Sequence, residues 1–352
     1  MRVRWHNRIA RSSVTLPVAA VLTTLLWWLP QGGYSLPYLL GWGVCATAVL
    51  FIIEMAAQNA LLRVRSRMVS SFFLLLMAVC GFLHELCPGL LVQLSLIASL
   101  YSLLRTCEKA RPELDAFHSY LFLSLGSLAW PPLVCLSPVL LCVQVFLFRS
   151  LSLRSFCAAV MGLLVPYVFW ISVLFVMGDI SPFLTHAREM AAPAIRLSEQ
   201  VRHELMLAQT YDAPSWLAIE QGRLSSFGAG LLARHLSELA ALVLVVLMGA
   251  TGIIYYCTNS FDDKTRVRMC HYAIITMQLC VALWLLLQPW LFRYLFPQLL
   301  FTSAPSCAYW VTFSRSWFAR AWFVALILGL IVVGVLSLTP PSVCLLSTFP
   351  RV

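Results

Sequence analysis

The densest group of side chains that could do chemistry lies between residues 183 and 206. Arginine binds phosphate through two parallel hydrogen bonds, and histidine or glutamate can act as a general base. The candidates for phosphate binding are Arg188, Arg196 and Arg202, and those for proton transfer are His186, His203 and Glu204. This combination predicts a site for a substrate that carries a phosphate or pyrophosphate group.

The same stretch has the spacing of an amphipathic helix that lies on a membrane surface and is broken near Pro193. Its apolar positions follow a helical repeat: Leu184, Ala187, Ala191, Ile195, Val201 and Leu205. The charged face has a second interpretation, because any solvated amphipathic helix pairs acidic and basic residues in this way. The sequence leaves both interpretations open.

The chain as a whole has the composition of a membrane protein. Of the 352 residues, 61% are hydrophobic and 11% are charged, whereas soluble domains average about 25% charged residues. The net charge of +10 is carried almost entirely by arginine and lies in short loops, which is unlike the basic face of a nucleic-acid-binding protein. We therefore predict an all-α, polytopic transmembrane helix bundle of about ten helices, with no nucleic-acid partner.

Three arginines in residues 63–67, between two apolar runs, predict a loop on the cytoplasmic side. The resulting topology places 16 of the 24 basic residues inside and both termini in the cytoplasm. It divides the chain into an N-terminal bundle of about seven helices (1–177), an extracytoplasmic segment (178–236) and a C-terminal region of about three helices (237–352). It also leaves residues 290–318, which are aromatic and broken by prolines, at the outer surface.

Cysteines and histidines give no pattern typical of a metal or cofactor site. The 12 cysteines include no CxxC pair, so we predict apolar packing for most of them, and only Cys87 and Cys307 are placed where an outer disulfide could form. His84 is predicted to be solvated at the outer membrane interface, and His271 to reach water at the inner one. We predict no metal and no cofactor.

Polar residues within the apolar runs offer a different function. Glu54, Gln93, Gln144 and Gln278 could line a path across the bilayer, in which case they should converge on one cavity. The alternative is hydrogen bonding between helices.

Three stretches carry a resemblance to a known group of proteins. Residues 59–77, 148–156 and 162–169 resemble an uncharacterised family of bacterial polytopic inner-membrane proteins, and the likeness covers roughly the first half of the chain. The resemblance implies a location in the bacterial inner membrane and supplies no activity or site residue.

We therefore carry three hypotheses forward. The first is a protein of envelope biogenesis that acts on a lipid-linked glycan or phospholipid-like substrate at the outer face. The second is a transporter or flippase of a small or amphipathic substrate. The third is a non-catalytic scaffold subunit with protein partners in an envelope complex.

Overall fold

The structure, a computed structural model, describes residues 12, 14–28, 36–62, 66–190, 223–288, 291–314 and 317–338. For 223–237, 317–320 and 336–338 it describes the helical backbone alone. Throughout these ranges the protein is helical and contains no strand, which confirms the predicted all-α fold class.

Twelve α-helices follow one another in the described ranges. They are α1 Thr15–Trp28, α2 Leu36–Gln58, α3 Met68–Val79, α4 Pro88–Leu104, α5 Glu113–Ala129, α6 Ser137–Cys142, α7 Leu153–Met177, α8 181–190, α9 Arg223–Asn259, α10 Thr265–Leu287, α11 Phe292–Phe313 and α12 Trp317–Leu338. The connections include 3₁₀ turns at Gly81–Leu83, Pro131–Leu136 and Ser260–Asp262, and α6 continues into a π-helical turn at Val143–Leu147.

Four helices in the described ranges are long and apolar enough to cross a membrane. These spans are Leu36–Gln58, Leu153–Met177, Glu238–Asp262 and Thr265–Leu287. Shorter apolar helices include α1, α3 and α4. The structure is thus compatible with a membrane protein.

Helix α11 corrects the prediction for residues 290–318. Instead of an irregular outer stretch, Phe292–Phe313 form one helix, and every residue from Leu295 to Thr312 is buried. Helices α3, α4, α9 and α10 pack around it. The two prolines inside the helix, Pro297 and Pro305, misled the prediction, because neighbouring helices can supply the contacts that a proline removes. Gln93 Nε2 donates a hydrogen bond to the Pro297 carbonyl over 2.6 Å.

The most extensive helix contact joins α5 and α7. It depends on Gly162, because a Cβ atom there would lie 2.3 Å from the carbonyl oxygen of Phe117. Close by, the Ser124 hydroxyl donates to the Leu163 carbonyl at 2.8 Å, and Pro166 lies buried in the same face of α7. A small residue and a serine thus hold the backbones together, as is common between membrane helices.

The turn between α3 and α4 contradicts the predicted solvation of His84. This side chain is 2% exposed, and its ring stacks on Trp27 with 4.1 Å between the centroids. Its Nε2 donates to the Met77 carbonyl oxygen at 3.2 Å. Helix α2 closes over the turn at Gly41, where a Cβ atom would lie 2.4 Å from the His84 carbonyl oxygen.

No disulfide joins Cys87 and Cys307, the pair that the predicted topology placed near the outer surface. Cys87 and Cys307 are both free thiols. Cys307 is 1% exposed within α11, because the stretch predicted to lie outside is buried in the bundle.

Candidate functional site

A basic cleft lies where the loop after α4 meets the loop before α7. It has a volume of about 600 Å³. Its lining is Lys109, Ala110, Pro112, Glu113, Arg149, Ser150, Leu151, Ser152, Leu153 and Arg154. Three of these residues are cations and one is an anion, so the cleft attracts negative charge. We refer to this lining as the basic cleft.

The local sequence explains the shape of the 149–154 wall. The π-helical turn closes with a hydrogen bond from the Phe148 amide to the Val143 carbonyl at 3.0 Å. Arg149 then takes a left-handed φ of 49°, which redirects the chain into α7. Ser152 caps that helix, since its hydroxyl accepts from the Ser155 amide at 3.1 Å and the Ser155 hydroxyl accepts from the Ser152 amide at 2.7 Å.

Ion pairs stabilise the opposite wall of the cleft, which contains Lys109. Asp115 is buried in the first turn of α5, where its carboxylate lies 3.4 Å from Arg105 Nε and also binds Lys109 Nζ. Arg105 in turn lies over the Tyr101 ring at 5.6 Å from its centroid. Since Lys109 is paired in this way, the free positive charge of the cleft is supplied mainly by the other wall.

Arg149 and Arg154 supply that charge. Both side chains are exposed, and within the part of the chain that the structure describes neither forms an ion pair. Two guanidinium groups with serine hydroxyls beside them suit the oxygens of a phosphate group.

Exposed apolar side chains lead away from the cleft along α7. Leu153 is 80% exposed at the edge of the cleft, and Phe156, Val160 and Leu164 continue from it at 41%, 39% and 47%. Steps of three and four residues place these four on one face of the helix. Because α7 is long and apolar enough to cross a membrane, this face suits an acyl chain below a phosphate.

The described part of the predicted outer site is α8, and there the apolar face differs from the prediction. Phe183, His186, Ala187 and Met190 are the more buried positions, whereas Leu184 is 57% exposed. His186 is 9% exposed, with its ring edge-on to Trp170 at 4.9 Å and 5.9 Å from the Tyr167 ring. The sequence assigned His186 to the polar face, but two neighbouring aromatic rings outweigh its polarity.

This packing separates two of the predicted site residues. Arg188 is exposed while His186 is buried, as expected for residues two apart on a helix, which point in nearly opposite directions. Burial lowers the pKa of His186 below its ordinary value, which Glu189 partly opposes. The structure therefore does not bring these two residues together. Arg196, Arg202, His203 and Glu204 lie outside the described residues.

The residues of the predicted transport path have different surroundings in the structure. Glu54 is exposed and accepts a hydrogen bond from Gln58 at 2.6 Å. Gln93 and Gln278 both bind α11, at Pro297 and at Ser303, the latter over 3.0 Å. Interhelical hydrogen bonding thus accounts for these two glutamines.

Gln144 differs from the other glutamines. It is 1% exposed in the π-helical turn, and among the described residues neither polar atom of its side-chain amide has a hydrogen-bond partner.

His271 belongs to a buried polar cluster of the bundle, whereas the sequence predicted that it reaches water. His271 is fully buried, and its Nε2 donates to the Leu61 carbonyl at 2.6 Å while its ring stacks on Tyr256 with 4.4 Å between centroids. The Tyr309 hydroxyl donates to the Asp263 carboxylate at 3.0 Å. These contacts join the loop after α2, the α9–α10 loop and α11, which is a structural role.

From the sequence, the cations of the basic cleft were recognised only as loop residues that indicate the membrane topology. Arg149 and Arg154 lie more than 30 residues from Lys109, so their meeting depends on the packing of α5 against α7. In the described part of the chain, no group of three or more His, Cys, Asp or Glu side chains is placed to hold a metal ion.

Comparison with known proteins adds no assignment. No protein-family model, no curated protein sequence and no solved structure matches this chain.

Proposed function

We propose that this protein is a multi-pass protein of the bacterial inner membrane that binds a phosphate-bearing amphipathic lipid in the basic cleft. The observation that carries the proposal is the cleft itself, in which Arg149 and Arg154 lie above an exposed apolar face of α7. A guanidinium pair recognises the phosphate, and the apolar face accommodates the chain.

The proposed topology has about ten spans, cytoplasmic termini and an extracytoplasmic segment at 178–236. In that orientation the basic cleft faces the cytoplasm, because all three of its cations lie in loops that the positive-inside rule assigns to that side. A lipid-linked glycan precursor or an anionic phospholipid would present its phosphate at this depth. The proposed role in envelope biogenesis therefore starts from the inner face, rather than from the outer face that the sequence favoured.

The test is a comparison of two lipids that differ only in phosphate. We expect purified protein in nanodiscs to bind a polyprenyl monophosphate more tightly than the corresponding polyprenol. Replacing both arginines (Arg149→Gln with Arg154→Gln) should remove about 2 kcal/mol, since each basic residue near a charged lipid surface contributes about 1 kcal/mol. This loss corresponds to a roughly thirtyfold weaker affinity, measurable by native mass spectrometry or titration calorimetry.

The matched control is the pair Arg67→Gln and Lys264→Gln. Both residues are exposed cations of the same predicted side, and neither lines the cleft. The control should keep the affinity for the monophosphate nearly unchanged. An equal loss in both double variants would show general surface attraction and would contradict the proposed site.

A further inference from the structure

The lining of the basic cleft includes one acidic side chain, Glu113. Glu113 is the first residue of α5 and is half-buried. It lies on the same wall as Lys109, whereas Arg149 and Arg154 lie on the opposite wall. The cleft therefore has its carboxylate on one wall and both guanidinium groups on the other.

Glu113 is not paired with any of these cations. In the part of the chain that the structure describes, the carboxylate that pairs with Lys109 is that of Asp115, which also binds Arg105. Neither arginine of the opposite wall forms an ion pair with Glu113 across the cleft. The fold thus keeps opposite charges apart in one cavity, and a ligand that carries the complementary pair of charges would bridge them.

A carboxylate beside a phosphate site can bind either a divalent cation or an ammonium group. Magnesium that is bound with a phosphate commonly has one or two carboxylate ligands, and Glu113 would be its only carboxylate ligand from the lining of the cleft. The three cations of the same lining repel a doubly charged ion more strongly than a singly charged one. An ammonium group needs only one carboxylate. The lining therefore favours a zwitterion, a molecule that brings its ammonium group together with its phosphate.

We propose that the basic cleft preferentially binds a phospholipid with a phosphoethanolamine headgroup, and that Glu113 determines this specificity. Arg149 and Arg154 bind the phosphate, while the ammonium group donates hydrogen bonds to the Glu113 carboxylate on the other wall. The cavity of about 600 Å³ has room for both charged groups and the two carbon atoms that join them. A quaternary ammonium group has no N–H donor, so a choline headgroup gains less from Glu113.

This inference rests on the proposed function, because it uses the same cleft and the same phosphate contacts. It adds the class of headgroup and a residue that distinguishes that class from other phosphate-bearing lipids. The acyl chains keep the position along the exposed face of α7 that begins at Leu153.

Glu113 also stabilises α5, because an acidic residue in the first turn interacts favourably with the helix dipole. Asp115 lies in the same turn and shares this role. A loss of helix stability would weaken the binding of every lipid in the cleft to the same extent. The preference between two lipids is therefore the measurement that separates specificity from stability.

The test compares phosphatidylethanolamine with its N-acetyl derivative, which has the same phosphate and acyl chains but no ammonium charge. We expect the full-length protein in detergent to bind phosphatidylethanolamine about fivefold more tightly in native mass spectrometry, since an exposed ion pair contributes up to about 1 kcal/mol. Glu113→Gln should abolish or reverse this preference. The matched control is Glu108→Gln, at an exposed acidic residue that does not line the cleft, and it should keep the preference.

The failure of this inference can be distinguished from failure of the proposed function. Arg149→Gln with Arg154→Gln should weaken the binding of both lipids, and unchanged affinities would contradict the phosphate site itself. If Glu113→Gln lowered both affinities by the same factor, or if the wild type showed no preference, the ammonium site would be overturned while the phosphate site remained. A preference that required added magnesium and disappeared with EDTA would assign Glu113 to a metal ion, which would also overturn the inference.

Soluble phosphoethanolamine distinguishes a lipid from a free headgroup as the ligand. At the concentration of the lipid it should displace little bound phosphatidylethanolamine, because it makes no contact with the apolar face of α7. Equal competition by the soluble compound would contradict a lipid ligand.

Discussion

Replacing Gly162 with valine is expected to separate α7 from α5 and to lower the free energy of unfolding by about 3 kcal/mol. The reason is geometric, because a Cβ atom at this position would lie 2.3 Å from the Phe117 carbonyl oxygen and 3.1 Å from the Leu121 amide nitrogen. Both neighbours belong to the backbone of α5 and cannot turn aside as a side chain can. Thermal unfolding in detergent, followed by size-exclusion chromatography of the heated sample, measures the loss.

Gly43→Val is the matched control for this substitution. Gly43 lies in α2, and a Cβ atom there would meet nothing within 4 Å. The control should therefore unfold close to the wild-type temperature. Equal destabilisation by both variants would mean that the helical cost of valine, rather than the contact between α5 and α7, causes the effect.

Acidification is expected to destabilise the turn between α3 and α4 through His84. Burial lowers the pKa of His84 from 6.5 to about 4, partly opposed by hydrogen bonds to the Met77 and Ala78 backbone. Because the unfolded chain binds this proton more readily than the folded protein does, stability is complete above about pH 6.5 and is lost as the pH falls towards 4. Between pH 6.5 and about pH 5 the loss should approach about 2 kcal/mol.

The variant His84→Phe tests the assignment, because phenylalanine keeps a ring on Trp27 and removes the titrating nitrogen atoms. Its unfolding temperature should depend less on pH than that of the wild type does. The control variant is His118→Phe, at a half-buried histidine. A wild-type pH dependence that persists in His84→Phe would assign the effect to another group.

The helical class could be predicted because the apolar excess leaves few other solutions. The start of α7 could also be predicted, because Leu153 follows a serine that can cap the helix. So could its end, because Gly178 terminates the helix with a left-handed φ of 78°. The number of membrane spans was harder to predict from the sequence. Met68–Val79, for example, has the composition of a membrane span but only 12 residues. Composition alone therefore overestimates the thickness of membrane that such a helix can cross.

The errors arose where tertiary packing outweighs local polarity. His84, His186 and His271 were expected to face water because histidine is polar, yet each is covered by aromatic neighbours contributed by other helices or by a distant part of the chain. A single sequence carries no record of those partners. The spacing of Phe183, His186, Ala187 and Met190 does follow a helical repeat, and this repeat was the available signal that His186 lies on the packed face.

The basic cleft could not be found from local motifs. Arg149 and Arg154 were recognised only as loop residues, because their approach to Lys109 depends on the contact between α5 and α7. The cleft results from long-range contacts, which neither spacing nor periodicity within one segment can indicate.

The position of α11 has a consequence for the biogenesis of this protein. Helix α11 is not among the four described helices that are long and apolar enough to cross a membrane, and it carries Gln298, Thr302 and Ser303 in buried positions. Such a segment gains little from contact with lipid, and its favourable surroundings are helices α3, α4, α9 and α10. In the proposed membrane topology, α11 would therefore enter the bilayer against helices that are already inserted, and its integration would depend on both halves of the chain.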